Sequence, residues 1–140
     1  MTMLNVLSGL NWTAIAIAAV ASFVVGALWF TVFFGKAYAA ALGKQDEPPT
    51  KPAPIFLAGP FVCGLVTTIT SAILVQALKI QSVTDALIFG AIVGIGYLAS
   101  TTVNTAINPN IPRPLFYGLI SGSYFLLSSL IVNVVLVSLK

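Results

Sequence analysis

The chain has 140 residues, of which 59% are hydrophobic and only 6% charged, with a formal net charge of +3. A soluble domain of this size leaves much of its surface in water, and so few charges cannot coat it. A soluble enzyme, a secreted disulfide scaffold, a disordered chain and a DNA-binding domain are set aside, which leaves a single-domain integral membrane protein.

The elements follow in chain order, since a bilayer-crossing helix needs about 20 apolar residues at 1.5 Å rise each. Met1 to Asn11 carries no Lys or Arg, and the apolar stretch behind it continues to Phe34. That is too long for a signal core, so an uncleaved first helix is expected over about 12–34. Asn11 suits its N-cap. Trp12 marks one membrane interface, and Trp29, Phe30, Phe33 and Phe34 crowd the other as an aromatic belt. A cytoplasmic-side loop of about 35–54 follows. Its first part, Lys36 to Leu42, is strongly helix-forming, with Gly43 as a stop. The rest is polar, proline-rich and suited to solvent. The second helix is expected over about 55–78, with Pro52 and Pro54 leading in. The third is expected over about 83–107, opened by Ser82 and Asp85 at capping-box spacing and stopped by Asn108-Pro109. The fourth is expected over about 115–139, with Pro112 and Pro114 before it and Lys140 at its negative end. The fold expected is all-α, an integral membrane bundle of four transmembrane helices.

Each helix carries small or polar residues at helical spacing, and residues three or four apart share a face. In the first these are Ala14, Ala18, Ser22 and Gly26; in the second, Gly59, Cys63, Thr67 and Ser71. The third has Gly90, Gly94, Tyr97, Thr101, Asn104 and Asn108. The fourth has Gly118, Gly122, Ser129 and Asn133, with Ser121, Tyr124 and Ser128 adjacent. Small residues let helix backbones approach where lipid gives no hydrophobic drive for association. The candidate packing and polar-cluster residues are therefore Ser22, Gly26, Thr67, Gly90, Gly94, Thr101, Asn104, Gly118, Gly122 and Asn133. The same rows could instead line a pathway. Asn104 and Asn133 need partners that lipid tails cannot supply, and Thr67, Thr70, Thr101 and Ser128 are at hand if the last three helices pack together. Trp12, Trp29, Lys36 and Tyr38 are interface anchors, Lys36 by snorkelling to the headgroups. A Gly35-Lys36 corner that binds a lipid headgroup or a partner is the sharper reading of the same residues.

The chemical inventory is narrow. There is no His, and the acids Asp46, Glu47 and Asp85 lie in loops or at helix ends. General acid–base catalysis needs a group titrating near neutrality, and a catalytic metal needs about three suitable ligands. No catalytic residue, cofactor or metal is therefore expected, nor an enzyme. Cys63 is alone, so no intrachain disulfide forms. Six basic residues spread over the loops are too few for nucleic acid. They act better as topology signals: Lys36, Lys44, Lys51 and Arg113 on one side outnumber Lys79 and Lys140 on the other. The first and third connections are expected in the cytoplasm, with both termini facing outward.

Gly26-Ala-Leu-Trp-Phe30, then Phe34-Gly-Lys-Ala-Tyr38 and Gly43, resemble the signature that ends the first helix in the domain of unknown function 1761 family. Gly96-Tyr97, Thr101-Thr102, Asn104, Leu115-Phe116, Gly122 and Tyr124 are similar to its later pattern. The chain departs from the family at Thr31-Val32, where Ser-Pro is usual. The resemblance implies a small bacterial membrane protein of about four spans, in the inner membrane, and carries no activity or site residue with it. The function expected is a non-enzymatic membrane protein acting through helix packing among membrane lipids, as a homo-oligomer or with a membrane-protein partner. The alternative is an oligomeric transporter or channel for an apolar or neutral polar solute or lipid.

Overall fold

The computed structural model describes residues 3–140, and among these the chain is all-helical. A 3-10 turn covers Met3–Gly9. Helix α1, Trp12–Leu28, continues through one π turn at Trp29–Phe33. After a break comes the short α2, Gly35–Ala41. Helix α3 spans Ile55–Ala77. Helix α4, Val83–Val93, passes through a π turn at Gly94–Ala99 into α5, Ser100–Ala106. Helix α6 spans Pro114–Ser138. These make four stretches long and apolar enough to cross a membrane: Trp12–Phe33, Ile55–Ala77, Val83–Ala106 and Pro114–Ser138. They are the first to fourth spans below.

Local chemistry fixes the ends. Asn11 Oδ1 accepts from the Ala14 N–H at 3.0 Å, capping the first span. Its Nδ2 donates to the Leu139 carbonyl at 2.8 Å, which ties the start of the first span to the end of the fourth. At Phe34 the backbone leaves the helical region (φ −125°, ψ 18°), so the first span stops without a proline. Gly43 has φ +70°, and its neighbours close a double bond pattern on α2: Gly43 N–H to Ala40 O at 3.1 Å and Lys44 N–H to Ala39 O at 2.8 Å. Lys79, at φ 55°, ends the second span in the same way without being glycine. Ser82 Oγ accepts from the Asp85 N–H at 3.0 Å and donates to the Asp85 carboxylate at 2.7 Å. Pro114 takes the first position of α6, where its missing N–H is harmless.

The fourth span is the hub. In its most apolar window 44% is buried inside the chain, against 22%, 22% and 17% for the first three spans. The first and second spans pack on one flank of it with the Met3–Gly9 turn, around Ala14, Ile15, Ala18, Ala72, Val132 and Leu136. The third span lies along the other flank and joins the second only near Val75, Ala86 and Val137. Much of the buried set is Ala, Gly and Ser, as close backbone approach in lipid requires. The remaining faces are broadly apolar: Ile17, Val20, Val24, Ile88, Ile92 and Ile95 are all exposed.

Candidate functional site

Two polar seams run along the fourth span. On the third-span side, Gly90 and Gly94 let that helix against Ser129 and Leu126. A Cβ at Gly90 would lie 3.1 Å from the Ser129 carbonyl, and one at Gly94 would lie 3.2 Å from Leu126 Cα. Gly118 meets Val103 in the same way, its absent Cβ 3.1 Å from Val103 Cγ2, while Gly122 has ordinary room, 3.6 Å from Ala99. The contact is sewn by Ser129 Oγ, which donates to the Gly90 carbonyl at 2.8 Å. Asn133, fully buried, donates to the Ser129 carbonyl at 2.8 Å. Its partner is thus Ser129 on its own helix.

On the first-span side, Tyr124 leans across Gly26. A Cβ at Gly26 would fall 2.6 Å from the Tyr124 hydroxyl, so only glycine admits the ring. The Tyr124 hydroxyl donates to the Ser22 carbonyl at 3.0 Å, and the Ser22 and Ser128 hydroxyls bond each other. Trp29 Nε1–H donates to the Ile120 carbonyl at 3.0 Å. Aromatic rings continue the seam toward the interface: Tyr124 to Phe30 at 5.2 Å, Phe30 to Tyr38 at 4.9 Å, and Tyr38 to Tyr117 at 5.5 Å between centroids. Burial, with the Tyr117 phenol beside it, pushes the Tyr38 phenol above the usual tyrosine range. Lys36 and Trp12 are exposed at opposite ends of the first span.

The other candidates point away from these seams. Thr67 is half-buried and bonds back to its own helix, to the Cys63 carbonyl at 3.0 Å. Thr70 does the same with Val66 at 2.9 Å. Thr101 and Asn104 are exposed, on the face of the third span turned from the fourth. Tyr97 shares that face at 73% exposure, in the middle third of its span. None of these three makes a side-chain hydrogen bond within the described residues. The second and third spans meet at one end only, so Asn104 has no neighbour there to bond.

Sequence reasoning put Ser129 in the fourth-span row, with Tyr124 and Ser128 beside it, but left all three out of the candidate residues. Their spacing carries a usable signal, since Tyr117, Tyr124 and Ser128 fall on one helical stripe. The two π turns carry no comparable signal. They re-aim the Trp29–Phe33 and Gly94–Ala99 side chains by an extra residue per turn.

A protein-family model described as a protein of unknown function (DUF1761) matches residues 13–137, which takes in most of all four spans. No curated protein and no solved structure matches the chain.

Proposed function

This chain belongs to the DUF1761 family, and we propose that it is a non-enzymatic membrane protein that works by helix contact, as a small oligomer or as an accessory subunit of a larger membrane complex. One observation carries the reading. Tyr97 stands midway along an apolar span, largely exposed, with Thr101 and Asn104 on the same outward face. Lipid tails offer no partner to a phenol at that depth, and tyrosine belongs at the interfaces when it faces lipid. A second helix laid over this face satisfies all three side chains. The π turn at Gly94–Ala99 supports it, because it presents Tyr97 while Gly96 beside it leaves open space for a neighbouring backbone.

The family resemblance supports an inner-membrane placement, and the basic residues support the first and third connections in the cytoplasm with both termini outward. Native mass in nanodiscs, with every co-purifying chain identified, tests the contact reading. The wild-type protein should carry a second copy or a defined partner chain, and Asn104→Leu should release it while the fold persists. A strict monomer with no companion chain, in wild type and variant alike, contradicts it.

A further inference from the structure

Beside the cytoplasm-proximal end of the first span lies an open groove of about 310 Å³. Trp29, Phe34 and Ala37 line one side, and Phe116, Leu119, Ile120 and Ser123 the other. The lining is almost wholly apolar, and the Trp29 N–H is already committed to the Ile120 carbonyl at 3.0 Å. Whatever enters must therefore be hydrocarbon. A methylene takes somewhat less than the roughly 30 Å³ of a liquid water, so the groove holds on the order of ten of them.

The chain neighbours of the lining have a different character. Lys36 stands between the lining residues Phe34 and Ala37, and Arg113 stands one turn before Phe116. The Arg113 N–H donates to the Ala41 carbonyl at 3.3 Å, which brings the start of the fourth span to the far end of α2. Two exposed cations thus flank the same short helix beside an apolar slot. Hydrocarbon alone gains little by leaving a bilayer for a protein groove, because both are apolar. Selection must come from the headgroup, and the headgroup that two cations select is anionic.

We propose that this groove is a binding site for one phospholipid with an anionic headgroup, its acyl chain between Trp29 and Phe116 and its phosphate at Lys36 and Arg113. The assignment is independent of the contact face on the third span, which lies on a different helix.

The test is native mass spectrometry of the whole chain from nanodiscs of phosphatidylglycerol and phosphatidylcholine, scored as lipid retained per protein. Wild type should retain one phosphatidylglycerol in preference to phosphatidylcholine. Lys36→Gln should cut that retention about five-fold, the factor that one lysine at an anionic surface supplies. Lys36→Arg should keep it, since the charge remains. Ala37→Trp should fill the slot and abolish retention of either lipid, with the melting temperature in detergent reporting that the fold survives. Lys51→Gln, in the polar loop before the second span, should leave retention unchanged. Equal retention of both lipids overturns the proposal. So does an equal loss in Lys51→Gln and Lys36→Gln, which would mean adsorption to a basic surface, or full retention in a folded Ala37→Trp.

Discussion

Two glycines of the fourth-span seams show how much a single methyl group decides. At Gly26 a methyl would collide with the Tyr124 hydroxyl and ring carbon Cζ, at 2.6 and 2.8 Å. The ring must then move and surrender its bond to the Ser22 carbonyl. Gly26→Ala should therefore destabilise the protein by about 1–3 kcal/mol, the usual cost of overpacking. At Gly122 the nearest atom is 3.6 Å away, so a methyl enters ordinary contact. Gly122→Ala should be neutral or stabilise by up to about 1 kcal/mol, because alanine costs less backbone entropy in a helix. Unfolding titrations in mixed detergent micelles measure both, and a Gly26→Ala variant as stable as Gly122→Ala would show that Tyr124 does not cross the first span. At Tyr38 the phenol is held above its ordinary value by burial and by Tyr117. Below about pH 10 both folded and unfolded states keep this proton, so it adds no slope. Above about pH 10 the unfolded chain releases it and the folded chain does not, so stability falls as pH rises. Tyr38→Phe should flatten that alkaline limb; an unchanged limb would place the ring in water.

At the level of elements, what could be read in advance was what is local. Asn11, Ser82, Gly43 and Pro114 each act within one or two turns, and their residue types announce the role. Lys79 is the exception, since it adopts φ 55° in a role that glycine usually takes. The inward face was legible in the first and fourth spans, whose small-residue rows are all buried, but not along the whole third span, where the row leaves the contact after Gly94 because the inward face depends on neighbours that one helix does not encode. Asn104 and Asn133 make the point. Both are amides at similar spacing in small-residue rows, yet Asn133 is sealed at 0% exposure and Asn104 lies open on the far face. The π turns escaped for a related reason: one extra residue in a turn leaves the composition untouched. Local devices also reach across elements. Asn11 caps its own helix and holds the Leu139 carbonyl, so Asn11→Ala removes two bonds at once. It should cost about 1–2 kcal/mol, above a cap alone at a helix start. A loss of only a few tenths in the same titration would mean that the link to Leu139 is not formed in the membrane.

For the molecule as a whole, the arrangement is asymmetric in a way that bears on function. One span is wrapped and three are largely bare. Apolar bare faces, such as that of Ile17, Val20 and Val24 on the first span, suit lipid. The face of Tyr97, Thr101 and Asn104 does not. The proposed sidedness rests on four basic residues against two. Single cysteines at Gln45 and Gln81, in a Cys63→Ala background, should label from opposite sides of intact cells, with Gln81 reached from outside; labelling of Gln45 from outside reverses the orientation.

The contact face itself is tested most directly by cross-linking in native membranes. In the Cys63→Ala background, Thr101→Cys should form a covalent adduct with a second copy or with one reproducible partner chain, and Val24→Cys, on the exposed apolar face of the first span, should not. Adducts at Val24→Cys as strong as at Thr101→Cys, or none at either, would contradict the account.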